Sequence, residues 1–357
     1  MKHVQAETAG AVATAPLNIG QLKAADRSRW DAFVARCPDA TFFHQSAWLD
    51  LVATVFAHRP IALYAERAGE IVGVLPLVQV KSRLFGHAVT SLPFSVYGGC
   101  ASTDAEAIAA LHGAAESEAR AFGASHLELR DRVQREADWP QQDLYVTFRK
   151  QMEPDVEANM NAIPRKQRAM VRKGIKNGLV SVIDPTVDRF FELYADNVHR
   201  HGTPALPKRW FAELKRTFGD RCEVLIVTDP AGTPVSGVIS FYFRDEVLPY
   251  YAGDAVAARD LAANDFKYWE LMRRACERGL KVFDYGRSKR GTGSFDFKKN
   301  WGFEPAPLHY EFRLFEGDTI PQNNPLNPKY RLMIETWRRL PRPLANFLGA
   351  RLSRHLG

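Results

Sequence analysis

The sequence predicts a mixed-sheet α/β protein built from two similar domains, and three observations carry that expectation. The order strand, strand, strand, helix, strand occurs twice along the 357 residues. Landmark residues recur at matching places in the two copies. No Gly-x-Gly-x-x-Gly follows a strand pattern, which argues against a dinucleotide-binding fold and with it nicotinamide or flavin chemistry. A chain of this length accommodates two domains.

In the first copy, helical patterns cover Ala24 to Arg36 and Ser46 to Phe56. Strand patterns run over Ile61–Glu66 and Ile71–Val80 around the turn Ala68-Gly69-Glu70, and a short strand precedes Tyr97-Gly98-Gly99. Thr103 and Glu106 have the spacing of a capping box, opening an Ala-rich helix that Gly123 ends; His126–Arg130 is the next strand. The second copy places strands at Glu223–Thr228, Val235–Phe243 and Val247–Ala252. A loop then reaches Asn264, the expected cap of a helix over Asp265–Arg278, which Gly279 ends before a strand at Lys281–Tyr285. Ala68-Gly69 answers Ala231-Gly232, Gly73 answers Gly237, and Gly123 and Gly279 each lead by five residues to an acid, Glu128 and Asp284. The pattern reads as a diverged internal duplication of a whole small domain.

The expected organisation is a disordered tail over residues 1–16, a first domain over 17–150 and a second over 151–318. The second carries a helical insertion over 155–220, and basic helices follow over 319–357. Pro164 can open the helix Arg165–Asn177, and helices over Asp188–Arg200 and Pro207–Phe218 follow it. In the last segment Leu344, Phe347, Leu348, Leu352 and Leu356 share one stripe, expected to pack back on the first domain or, alternatively, to lie on a membrane. No apolar run is long enough for a spanning helix. Cys37, Cys100, Cys222 and Cys276 are scattered without metal-site or disulfide spacing, so reduced thiols in a cytoplasm and no metal are expected.

The net charge of +7 is concentrated. Asn159 to Val180 carries six basic residues and no acid; Arg287 to Lys299 carries five against Asp296; Lys329 to the end carries seven against Glu335. Such clusters favour phosphate-bearing partners. A strand ending at Gly286, then Arg287-Ser288-Lys289-Arg290 and Gly291-Thr292-Gly293, would let backbone N–H groups approach a phosphate or carboxylate, or simply form a tight turn. Lys298 lies among Phe295, Phe297 and Trp301, where its ammonium could stabilise charge on an acyl oxygen or lie on the surface beside buried aromatics. Tyr250, Tyr251 and Asp254 close a strand near that region and are candidate pocket residues or aromatic core. His199 and His201 flank Arg200 as loop residues that lack a third ligand.

Five segments resemble the FemAB-like acyltransferases: residues 41–52 (TFFHQSAWLDLV), 163–179 (IPRKQRAMVRKGIKNGL), 200–214, 250–272 and 283–312, the last containing the "FK" pair Phe297-Lys298. The resemblance spans about Thr41 to Phe315 and is nearest to the branch associated with exosortase and exopolysaccharide loci. It implies two tandem GNAT-like domains and an N-acyltransferase that moves an aminoacyl or acyl group onto an amine of a peptidoglycan or exopolysaccharide precursor. It implies Lys298 as the carbonyl-stabilising residue, with Arg287, Ser288, Tyr251 and Asp254 binding substrate. The basic helix carrying Arg165, Lys166, Arg168 and Arg172 is implied to contact donor phosphates. The donor would be aminoacyl-tRNA or acyl-CoA, with no tightly bound cofactor and no DNA partner. Two departures stand out. The stretch Arg259 to Asn264, where related enzymes carry a pyrophosphate-binding glycine loop, keeps Arg259 but has alanines in place of glycines, and Cys100 and Ala101 follow Tyr97-Gly98-Gly99 with no immediate acid. The alternatives are a CoA-dependent acetyltransferase acting on an amino sugar, and a non-catalytic adaptor binding anionic polysaccharide precursors at the membrane.

Overall fold

The protein is described from a computed structural model covering residues 15–82, 86–321 and 328–355. The expected tail lies almost wholly outside the described residues. The described residues form two compact units, 15–143 with 308–321, and 144–307 with 328–355.

The first unit contains β1 (Leu17–Gln21), α1 (Arg27–Arg36), α2 (Ser46–Phe56), β2 (Arg59–Arg67), β3 (Glu70–Ser82), β4 (Gly86–Thr90), α3 (Ala105–Ala121), β5 (His126–Asp131) and β6 (Gln141–Gln142). Its sheet order is β1-β2-β3-β4-β5-β14-β6, where β14 (His309–Leu314) returns late in the chain to pair antiparallel with β5. Ala68 and Gly69 both take positive φ, as a two-residue hairpin between right-twisted strands requires. The cap of α3 is Asp104, whose carboxylate accepts from the N–H groups of Glu106 and Ala107; Thr103, the expected cap, lies one residue outside. Ala107, Leu111, Ala115 and Ala119 recur every four residues and bury one stripe of α3 against Leu63, Leu75, Leu77, Leu127 and Leu129 of the sheet.

The second unit contains β7 (Tyr145–Gln151), α4 (Val156–Ala162), α5 (Arg165–Lys176), β8 (Val180–Asp184), α6 (Asp188–Arg200), α7 (Lys208–Phe218), β9 (Cys222–Thr228), β10 (Pro234–Phe243), β11 (Glu246–Asp254), α8 (Ala258–Leu261), α9 (Ala263–Glu277), β12 (Val282–Lys289), α10 (Gly293–Asn300), β13 (Pro305–Pro307), α11 (Pro328–Arg339) and α12 (Arg342–Leu352). Its sheet order is β13-β7-β12-β11-β10-β9-β8. Phe266, Trp269, Met272 and Ala275 of α9 pack on Val238, Val247, Phe283 and Tyr285 of the sheet.

The duplication is visible in how the two helices end. Gly123 and Gly279 both take positive φ after α3 and α9. Each N–H returns to the last turn, Gly123 to Arg120 O at 2.9 Å and Gly279 to Cys276 O at 2.8 Å. The next residues close the six-residue loop, Ala124 to Ala119 O and Leu280 to Ala275 O. In both units the strand after this helix runs parallel to its neighbour, β5 beside β4 and β12 beside β11.

The expected boundary at 150/151 falls inside β7, which belongs wholly to the second sheet, and β14 belongs to the first sheet although its position in the sequence suggests the second domain. Each sheet is completed by a strand distant in sequence, a choice that local patterning does not encode. The strand expected to end at Tyr285-Gly286 continues to Lys289 across a break in its ladder with β7 between Asp284 and Arg287.

Candidate functional site

The feature that separates the two units is the parting of their parallel strands. In the first unit three residue pairs join β4 and β5, ending at Thr90 and Glu128. Beyond them the chain covers its own edge. Ser91 N–H donates to Glu128 O at 2.8 Å, Arg130 N–H to Ser91 Oγ at 2.7 Å, and both Gly98 and Gly99 N–H groups donate to Arg130 O. A Cβ at Gly99 would lie 2.1 Å from the Asp131 carboxylate, so this loop sits directly on β5.

In the second unit only Glu246↔Val282 and Val247↔Phe283 pair before β11 and β12 part. The β10–β11 register skips between Ile239 and Ser240, leaving Tyr250 as an extra residue in β11. Such a bulge bends its strand and increases the local twist. β12 is bent at the same level. Gly286 takes φ +62°, and the buried Asp284 carboxylate accepts the Gly286 N–H at 2.7 Å and Arg149 Nη1 at 2.7 Å.

Lys298, on α10, finishes this construction. Its Nζ donates to Tyr285 O at 2.8 Å, Gly286 O at 3.1 Å and Arg287 O at 3.0 Å. An ammonium has three protons, and all three are engaged. Burial draws its pKa down to about 7, with Asp284 opposing and Arg287 adding to the fall. The three carbonyls favour the charged form. Lys298 is therefore neither a surface lysine nor one whose donors stand open toward an acyl group.

Asp254, at the end of β11, is held from below. The fully buried Lys267 donates from Nζ to its Oδ1 at 2.8 Å, and Ser236 Oγ donates to the same oxygen. Oδ2 accepts nothing among the described residues, and the carboxylate is 30% exposed. Lys267 and Ser236 were not identified from the sequence. A signal existed for the lysine, since Ala263, Lys267, Leu271 and Ala275 form one four-residue stripe, all buried.

Arg287 is exposed, its guanidinium 4.4 Å from the Tyr145 ring centroid, while Ser288 is buried with its hydroxyl 3.4 Å from Ser294 Oγ. Tyr251 belongs to an aromatic cluster with Tyr194, Phe211 and Tyr250; its hydroxyl accepts Trp210 Nε1 at 3.0 Å, and burial holds its pKa well above the usual phenol value. Asn264 is not the cap of α9. Ala262 is, in a left-handed conformation and with no side chain to accept from the first turn, while Asn264 lies within that turn and Arg259 is exposed on α8. His199 directs Nε2 to Leu340 O at 3.0 Å.

Helix α5 turns Val171 and Gly174 inward; a Cβ at Gly174 would meet Phe266 Cβ at 2.7 Å, so α5 crosses the first turn of α9 at close range. On its outward face Arg165, Arg168, Arg172, Lys173 and Lys176 line a shallow open cleft. Lys166 is exposed and lies off that row. No acid pairs with any of these cations among the described residues. Gly291-Thr292-Gly293 is a turn into α10, with Thr292 Oγ1 accepting the Phe295 N–H as N-cap.

Residues 163–299, within the second unit, match the family described as an acetyltransferase (GNAT) domain. The fold is a tandem GNAT-like one. The crystal structure of FemX aligns with a TM-score of 0.63 at 16% identity, over 89% of this chain and all of that one. The C-terminal domain of a putative lysylphosphatidylglycerol synthetase from Agrobacterium fabrum gives 0.55 at 14% identity over 82% of this chain and 93% of its own. A tandem GNAT protein from the clavulanic acid biosynthesis pathway gives 0.52 at 14% identity over 85% of this chain and all of its own. At these identities the likeness establishes the fold. No curated protein sequence matched the chain. Among the described residues no helix is long and apolar enough to cross a membrane.

Proposed function

We propose that the chain is an N-acyltransferase whose chemistry is confined to the second unit. It transfers an aminoacyl or acyl group from a phosphate-bearing donor, aminoacyl-tRNA or acyl-CoA, to an amine of a peptidoglycan or exopolysaccharide precursor at the cytoplasmic side of the membrane. The observation that carries this reading is the parting of β11 and β12, with the Lys298 ammonium, reaching from α10, bound to carbonyls of β12 and the Asp254 carboxylate at the end of β11. The GNAT domain match over the same residues supports it.

The amine nitrogen of the acceptor adds to the acyl carbonyl carbon, and the carbonyl electrons move onto oxygen. The bond to the donor's ribose oxygen or thiol sulfur then breaks, and that atom leaves with a proton. Asp254 takes the proton lost by the attacking nitrogen through its open Oδ2, while Lys267 and Ser236 fix the carboxylate through Oδ1. Lys298 supplies positive charge where the oxyanion develops. To reach that oxygen its ammonium must exchange one carbonyl, and the Gly286 contact at 3.1 Å is the longest of the three. Arg287 and Ser288 anchor substrate, and the cationic row of α5 holds donor phosphates.

The acetyl-CoA alternative draws on one observation. The first turn of α9 has no side-chain cap, and Arg259 is exposed nearby on α8, so an anion could take the N–H groups there. Calorimetric titration with acetyl-CoA and with charged tRNA, each at two salt concentrations, separates the donors. Saturable tRNA binding with steep salt dependence supports aminoacyl transfer. Saturable acetyl-CoA binding moves the donor to CoA, and binding of neither overturns the reading.

A further inference from the structure

The apolar stripe of the last helix is expected from its sequence either to pack back on the first domain or to lie on a membrane. The helix belongs to the second unit and turns part of the stripe outward. Helix α12 packs inward through Ala345, Gly349 and Ser353, small residues spaced four apart and all buried. A Cβ at Gly349 would lie 3.0 Å from Ala205 N and 3.1 Å from Ala205 O, so this backbone-to-backbone approach excludes a bulky residue on the inner face. Leu344 and Phe347 are consequently turned out, 44% and 57% exposed, while Leu348 and Leu352 are half-buried; Leu356 lies outside the described residues.

Within this last segment of the chain the charges have one sign. Glu335 is the last acid of the chain, and Arg338, Arg339, Arg342, Arg351 and Arg354 follow it. Arg342 is engaged by Glu192 at 3.0 Å and Asp196 at 3.8 Å, which ties the start of α12 to α6. Arg351 lays its guanidinium 3.8 Å from the Phe347 ring centroid, with its apolar stem along the same outward face. Arg338 and Arg339 are exposed at the end of α11.

We propose that the outward face of α12 is a docking surface for an anionic lipid bilayer. Leu344 and Phe347 enter the headgroup boundary, and Arg339 and Arg351 meet lipid phosphates beside them. Large apolar residues interleaved with cations, on a helix that itself carries no acid, match an anionic interface in charge and polarity. An acidic protein partner would match the charge without requiring exposed Phe and Leu at the centre of the patch. The proposal does not depend on the catalytic reading, because it invokes no residue of that site.

Flotation of the full chain with phosphatidylcholine vesicles, with and without a phosphatidylglycerol fraction, tests it. The expected result is flotation only with the anionic vesicles, weakened by added salt. Leu344→Ser with Phe347→Ser should abolish it, and each of Arg339→Gln and Arg351→Gln should weaken it about fivefold. All four side chains are exposed, so the circular dichroism melting curve should not move. Absence of flotation with either vesicle would overturn the proposal, as would unchanged flotation of the double serine variant. A concentration-dependent dimer that the serine variant dissolves would overturn it as well, since the face would then cover a second copy of the chain.

Discussion

Lys298 Nζ lies 2.8 Å from the carbonyl oxygen of Tyr285, a contact that ties α10 to the irregular stretch of β12. The strand leaves its regular ladder after Asp284, and the carbonyls exposed by that irregularity are gathered by one ammonium.

Replacing Lys298 with Met would leave three carbonyls without that donor. A buried unsatisfied polar group costs about 1–3 kcal/mol, and relaxation of the bent strand recovers part of it. We expect a loss of about 2–4 kcal/mol in urea unfolding and a fall in transfer of about a hundredfold or more. Lys298→Arg keeps the charge in a different geometry and should restore stability more than turnover. A folded Met variant with full turnover would remove Lys298 from the chemistry.

Asp254 and Lys267 are coupled unequally, since the lysine is fully buried and the carboxylate is partly open. Asp254→Ala would strand a buried ammonium and should cost about 3–5 kcal/mol. Asp254→Asn retains an acceptor oxygen for Lys267 and Ser236 but not the counter-charge, and should fold with a smaller loss than the Ala variant. It should lower kcat by about 10²–10⁴ with little change in donor affinity if Asp254 takes the proton. Equal kcat in the Asn variant would show that the carboxylate only supports the strand end.

The first unit carries its own pH signature. Burial, then the neighbouring Glu311 carboxylate, pushes Asp131 up to about 8, and Glu311 is itself raised by burial. Between the ordinary carboxylate range and pH 8 the folded chain retains a proton that the unfolded chain has released, so stability falls as pH rises. The contribution is fully present below about pH 4 and is lost through about pH 8. Lys298 acts in the opposite sense above about pH 7, because its folded value lies below its unfolded one. Urea midpoints should therefore fall from about pH 5 to about pH 7, and Asp131→Asn should flatten that slope. An unchanged slope in the Asn variant would contradict the burial of a protonated Asp131.

The cationic row of α5 should act additively and without structural cost, because its side chains face outward. Arg168→Gln and Arg172→Gln together should weaken tRNA binding. They should also reduce the slope of log K against log salt by just under one unit for each phosphate no longer neutralised. Lys166→Gln, off the row, should have the smaller effect. Equal effects at Lys166 and Arg172 would point to diffuse attraction without a defined phosphate position.

Much of this was legible from local physics. Gly123 and Gly279 announced the helix ends because left-handed backbone favours glycine, and the strand-rich order announced mixed sheets. What escaped depended on partners distant in the chain. Nothing near Tyr145 or His309 says that these strands complete different sheets. The basic helix was placed correctly, yet which of its cations share a row followed from the burial of Val171 and Gly174. The sequence marks Lys298 by its place among Phe295, Phe297 and Trp301 and by the Phe297-Lys298 pair, whereas its position is fixed by carbonyls 11 to 13 residues away. In α12 the apolar stripe is present, yet Leu344 and Phe347 face outward, since Ala205 admits only small residues on the inner face.

The central claim is that the donor enters where β11 and β12 part and not at the corresponding place between β4 and β5. Amide hydrogen exchange of the full chain, with and without the donor that calorimetry identifies, tests it most directly. Donor-dependent protection is expected over Tyr250–Asn264 and Tyr285–Lys298, with Ser91–Ala101 and His126–Asp131 unchanged. Protection confined to those first-unit segments would contradict it.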